Sequence, residues 1–271
     1  MLEIIEGLKL TKPILDKTEK FMTAIFGSSA KEMGELIADK IRYKRLINQV
    51  DIFNKARIIL EKNGINPRQL NLKTLVPLLE FSSLEEEELL QEKWANLIAN
   101  ISSSPESGLE PKLVKTLSNM SSLEAQVLDY TFELFKFERN NVFNRRNSYK
   151  WSKIKSIDEI KFNEVNLKLE SIKSQFGLND DFAKICINNL VSLGLLKYTE
   201  PEIEIDNGYP TGTLKDIDAN KDEQPVEIEL DISASYIQSD DFNLTTYGNY
   251  FIGQCKISKT LHNQCIVLKS K

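Results

Sequence analysis

An apolar stripe constrains this chain before anything else does. In FSSLEEEELLQEKWANLIANIS, Phe81 to Ser102, residues Leu90, Trp94, Leu97, Ile98 and Ile101 recur at i, i+4, i+7, i+8 and i+11. That is one face of a 3.6-residue period, so the segment is expected to be a helix with a wide buried side. Four consecutive glutamates, Glu85 to Glu88, precede it. Ser82 or Ser83 is expected to cap the helix, with Glu85 or Glu86 closing a capping box. Carboxylates in a first turn also meet the positive end of the helix dipole. Consecutive carboxylates point around a helix, and no histidine accompanies these. The run therefore reads as a solvated helix start and not as a metal or acid–base site.

Helical periodicity extends on both sides. A long helix is expected from about Ala30 to Asn63, with Met33, Leu36, Ile37, Ile41, Leu46, Ile47, Val50, Phe53, Ile59 and Leu60 on its stripe and Gly64 as its stop. Asn66-Pro67 reads as a cap and first turn for a following helix, with Pro77 as a kink inside it. SSSPESGLEP, Ser102 to Pro111, is loop by composition. A short helix PKLVKTLSNM follows, then one opened by Ser121 and Glu124 with Val127, Leu128, Phe132 and Phe135 inward. Phe137 to Ser156 reads as a basic, aromatic, exposed insertion that interrupts the helical pattern. A helix is expected again from about Ile160 to Phe176. Another is expected after Asn179, with Phe182, Ile185, Cys186, Leu190, Leu193 and Leu195 as its inward stripe.

From Tyr198 the period changes to two. PEIEID and VEIELDISASYIQ read as strands, and TTYGNYFIGQC as a last helix. Helix, helix, an LGLL turn and a strand pair form the grammar of a winged helix. The expected fold is therefore mainly α: an N-terminal helical domain over 1–103, a winged-helix-like α+β domain over 112–258 with a basic insertion at 137–156, and a C-terminal tail at 259–271.

Net charge is −5, so no global field draws the chain to nucleic acid or anionic lipid. The charge is uneven. Residues 1–150 hold 22 Lys+Arg against 21 Asp+Glu; residues 151–271 hold 13 lysines, no arginine and 19 acids. Cys186, Cys255 and Cys265 form no C-x-x-C pair, and no signal peptide is legible, so reduced thiols in a cytoplasmic protein are expected. No run approaches the ~18 apolar residues of a membrane-spanning helix. The single histidine, His262, lies beyond the last expected element and reads as a tail residue. With Cys255 and Cys265 it lacks the spacing of a zinc site. No phosphate-cradling glycine motif occurs. No catalytic residue, metal ligand or cofactor is therefore assigned.

SAKEMGELIADKIRYKRLINQVDIFNKARIILEKNGIN, LVPLLEFSSLEEEELLQEKWANLIAN, LSNMSSLEAQVLDY, INNLVSLGLLKY and LTTYGNYFIGQC occur in this order between about Ser29 and Cys255. Together they resemble the Abi-alpha (abortive infection alpha) family of bacteria and archaea. The resemblance implies a phage-defence role, stopping phage by sacrificing or stalling the infected cell, and it implies no catalytic motif. The expected mode of action is protein–protein contact, with a phage-encoded protein or a second copy of the chain as partner.

The alternative is a nucleic-acid-binding regulator. Arg139, Arg145, Arg146, Lys150, Trp151 and Lys153 would carry it, since cations neutralise phosphates and aromatic rings stack on unpaired bases. The candidate recognition helix, with Asp180, Asp181, Lys184, Asn188 and Asn189, offers phosphates almost nothing. Should the segment bind RNA or DNA, changing Arg145, Arg146 and Lys150 to alanine is expected to flatten the salt slope by about two to three, and Lys184→Ala to leave it nearly unchanged. Titrations across a salt series read this directly. Undetectable binding at low salt removes the alternative.

Overall fold

The computed structural model describes residues 40–148, 154–200, 202–207, 232–237 and 240–256, with single positions at 17, 20 and 24. Eight α-helices lie among them. Helix α1 spans Lys40–Lys62, so the expected start near Ala30 falls outside the described residues. Ile52, Phe53, Ala56 and Leu60 bury one side of it. It ends as its sequence requires. Gly64 takes φ 65°, its N–H donates to the Glu61 carbonyl, and the Ile65 N–H reaches back to the Leu60 carbonyl at 3.0 Å. This double turn needs a left-handed residue, which glycine supplies without strain.

The next helix does not open at Asn66-Pro67. Helix α2 spans Leu72–Ser82, and the Asn71 side chain caps it by accepting from the Thr74 N–H at 2.9 Å. Residues before it stay irregular because Arg68 is tied down elsewhere: its N–H donates to the Ser102 carbonyl and its Nε to the Ser104 carbonyl. Pro77 lies inside α2, as expected.

Helix α3, Glu88–Ser103, carries the opening stripe. Leu90, Trp94, Leu97, Ile98 and Ile101 are all buried, and Trp94 is the largest of the fully buried side chains. Helix α4 spans Glu110–Ser118, and helix α5 spans Ser122–Ser148. The expected box at the start of α5 forms: the Glu124 carboxylate accepts from the Ser121 N–H at 2.8 Å, and the Ser121 hydroxyl accepts from the Glu124 N–H.

Two readings in the middle of the chain need correction. Helix α5 is not broken at Phe137. It runs eleven residues further, because Val142 is buried and Phe143 packs on the core, keeping the inward period while Asn140, Asn141, Asn144 and Arg145 face out. No helix starts near Ile160. Two 3₁₀ turns, Ile157–Glu159 and Phe162–Glu164, lead into an extended stretch in which Val165, Leu167 and Leu169 are buried alternately. Leu167 bridges Phe242 in antiparallel fashion. Period-two burial cannot be satisfied by a helix, and α6 spans only Leu169–Phe176, closed by Gly177.

Helix α7, Asp180–Ser192, is capped by Asn179, whose side chain accepts from the Phe182 N–H at 2.8 Å. Strand β1, Leu196–Tyr198, pairs antiparallel with β4, Phe242–Leu244. Strand β2, Glu202–Asn207, pairs antiparallel with β3, Ile232–Ile237. Helix α8 spans Thr246–Cys255. Its Gly248 lies so close to β1 that an added Cβ would stand 2.2 Å from the Leu195 carbonyl oxygen, a contact only glycine permits.

One continuous cluster of buried side chains runs from Ile52 through α3 to Cys255. Helix α3 is its axis: α1 packs on one side, α8 on another, and α4 and α5 complete the enclosure. Trp94→Ala is expected to lower stability by about 3–5 kcal/mol, the cost of a large-to-small change in a closed core. Urea denaturation measures it, and an unchanged midpoint would contradict the enclosure.

Candidate functional site

The basic segment is only partly free to meet a ligand. Arg139 turns inward: its Nη2 donates to the Ile160 carbonyl at 2.9 Å, its Nη1 lies 3.6 Å from Asp158, and its guanidinium stacks near Phe135 and Phe162. Arg146 is held 2.5 Å from Glu164. Both arginines fasten the 3₁₀ turns to α5. Arg145 is exposed and has no ion pair among the described residues. Lys150, Trp151 and Lys153 lie outside the described residues. Of the six residues expected to meet nucleic acid, two are therefore committed to internal partners and one stands open. The sequence could not separate these cases, because the partners Asp158 and Glu164 come from turns folded back by the tertiary structure.

The acidic run is also placed differently from its expected position. Ser82 ends α2, and Ser83 receives Arg45 Nε at 2.8 Å on its hydroxyl. Glu85 to Glu87 form the turn between α2 and α3, and Glu87 occupies the cap position without a side-chain hydrogen bond. The expected capping box is absent. Ser83 is recruited by α1 instead, since Asn48 Nδ2 also donates to its carbonyl at 3.1 Å. Glu86 pairs with Lys44, both exposed. Glu85 is half-buried, and burial pushes its carboxyl above the usual range, although the Glu87 N–H donates to it. Only Glu88 lies in the first turn of α3; Glu85 to Glu87 form a connector and not the helix start expected of them.

One exposed apolar pair, Leu72 and Val76, lies on α2; another, Phe182 and Ile185, lies on α7. The expected inward stripe is wrong at two positions. Ala183, Cys186, Ile187 and Leu190 are buried, whereas Phe182 is 52% exposed and Ile185 58% exposed. The sequence FAKICINNL carries apolar residues around more than one face, so periodicity alone admitted two stripes. The outward one is bordered by charge. Lys184 Nζ lies 3.0 Å from Asp180 and 3.0 Å from Asp240, and Lys173 lies 3.2 Å from Asp180. Hydrogen bonds from Lys184 and Lys173 hold the Asp180 carboxyl below its ordinary range, and those to Asp240 and Asp180 raise the Lys184 ammonium. Two side-chain bonds tie the helix to its neighbours: Asn189 Nδ2 donates to Glu124 at 2.6 Å, and the Tyr198 hydroxyl donates to the exposed Asn188 at 2.8 Å.

A cleft of about 750 Å³ opens between the 3₁₀ turns and the β1–β4 pair, lined by Arg139, Asp158, Lys161, Lys197, Tyr198 and Asn243 among others. Its charges are largely internal pairs: Arg139 with Asp158, and Lys197 with Glu200 at 3.0 Å. Among the described residues no three His, Cys, Asp or Glu side chains gather as a metal-ligand set. Cys186 and Cys255 are buried, and burial pushes the Cys255 thiol up to about 12. A thiol so poorly ionised is a weak nucleophile. His262 and Cys265 lie outside the described residues. Strand β4 was not legible in the sequence, being three residues long.

The class defined by these observations is a mainly helical protein with a small antiparallel sheet, and among its described residues no helix is long and apolar enough to cross a membrane. The sequence model of the family described as abortive infection alpha matches residues 40–255, and the chain belongs to that family. No curated protein and no solved structure matches it.

A pH signature follows from Glu85. A carboxyl with a raised folded pKa stabilises the fold below its unfolded pKa, and that contribution is lost as pH rises through the folded value. Glu85→Gln is therefore expected to raise the melting temperature at neutral pH and to leave it unchanged near pH ~4, where the wild-type carboxyl is protonated. Melting curves at both pH values test this. A loss of stability at neutral pH would show the carboxylate to be favourable.

Proposed function

We propose that this member of the abortive infection alpha family is a phage-defence protein that acts through protein contact, with α7 as its contact helix. The order over 112–258 supports a winged-helix reading: α5, the extended bridge at Leu167, α6, α7, β1, the β2–β3 hairpin, then β4. In that arrangement α7 holds the place of the recognition helix. The observation that carries the proposal is what α7 presents outward. It offers Phe182 and Ile185, and its one lysine is already shared between two aspartates. Phosphate contacts require free cations, whereas an exposed aromatic and aliphatic pair is what a protein partner buries. The nucleic-acid alternative draws, among the described cations of its segment, on Arg145 and Lys155.

Plaque counts test the proposal. Cells making the intact chain are expected to yield fewer plaques than cells without it. The double variant Phe182→Asp, Ile185→Asp is expected to lose that protection while keeping its circular dichroism and melting temperature, because both side chains are exposed and the Asn179 cap uses only the backbone N–H of Phe182. Full protection by the double variant would overturn the assignment of α7.

A further inference from the structure

The chemistry around Phe182 and Ile185 says what kind of partner they fit. The two lie three residues apart and so stand side by side on the helix surface. Asp181 is exposed and shares their face, four residues before Ile185. Asp180 and Lys184 border that face, and Asp240 reaches Lys184 from the residues just before β4. Over residues 168–200 and 240–244 the chain holds four lysines, no arginine and six carboxylates. An apolar pair is thus set in a surface of net negative charge.

Resting on the protein-contact reading, we propose that this face takes a cationic amphipathic segment of a partner protein, apolar side chains seated on Phe182 and Ile185 and lysines or arginines opposite Asp181, which is exposed and has no ion pair among the described residues. Helix-on-groove recognition uses such spaced anchors, and complementary charge adds rate and selectivity to a small apolar contact. A second copy of the chain does not fit the same patch. A two-fold contact buries the same patch on both copies, which would bring two surfaces of net negative charge together. A nucleic-acid duplex is refused by the same carboxylates.

The full chain is titrated with two labelled model peptides of about 18 residues, each an idealised helix with a leucine stripe at i, i+3, i+4 and i+7, one with lysine at the remaining positions and one with glutamate. The lysine peptide is expected to bind saturably. Its affinity should fall at least about tenfold with the double variant Phe182→Ser, Ile185→Ser, as for anchors at the centre of a contact. It should also fall several-fold with Asp181→Lys and on raising salt from about 50 to about 500 mM. The glutamate peptide is expected to stay free. Equal binding of the two peptides, or lysine-peptide binding unmoved by the serine variant, overturns the proposal. The two levels separate cleanly. If the peptides fail but the serine variant still abolishes phage protection, the cationic partner is wrong and the contact helix stands. If protection survives the serine variant, the contact helix itself falls.

Discussion

The rest of the structure depends on how much of α3 is buried, well beyond a single face. A helix with an ordinary amphipathic stripe leaves one face to water, but here Lys93, Asn100 and Ser102 are buried along with the apolar residues. Each has an internal partner. Lys93 Nζ meets Asp129 of α5 at 2.6 Å, and Ser102 bonds back to the Ile98 carbonyl. Asn100 Nδ2 donates to the Gln254 carbonyl at the end of α8, more than 150 residues away in sequence. Buried polar groups are tolerated only when satisfied, so these pairs fix which helices may stand beside α3 and in which register.

That enclosure reaches the candidate contact helix through α5. Lys256, just past α8, adds to Asp129 and Glu133 on α5 at 3.6 and 3.3 Å and stands over the Phe132 ring. One turn earlier Glu124 caps the same helix with one carboxylate oxygen and holds Asn189 of α7 with the other. The inner side of α7 is thus pinned to the core by a buried carboxylate. Its outer side is left with Phe182 and Ile185, each more than half exposed. A rigid rear and an apolar front suit a binding surface better than a mobile loop would.

Much of this was legible from residue order. The Trp94 stripe, the Gly64 stop, the Ser121 and Asn179 caps, the last helix and both strands of the β2–β3 hairpin follow from local rules, and the quoted motifs pointed to the family whose sequence model spans residues 40–255. The failures share a cause. Ser83 and Glu85 satisfy a capping pattern, yet Arg45 and Asn48 claim Ser83 from across the fold. Arg139 and Arg146 sit in a basic, aromatic segment, yet both are turned toward residues of the 3₁₀ turns. Local signals state what a side chain is able to do. They do not state which distant group reaches it first.

The sequence by itself determined the helical class, the ends of most helices and the acidic character of the later half, because these follow from period, caps and charge carried by neighbouring residues. The tertiary structure alone decided which of two apolar stripes on α7 faced inward, that α5 continued past Phe137, and that a three-residue strand at Phe242–Leu244 closed against β1. Each of those outcomes turns on contacts between residues tens of positions apart. Such contacts are selected by the shape and polar demands of a shared core, and no short window of sequence contains them.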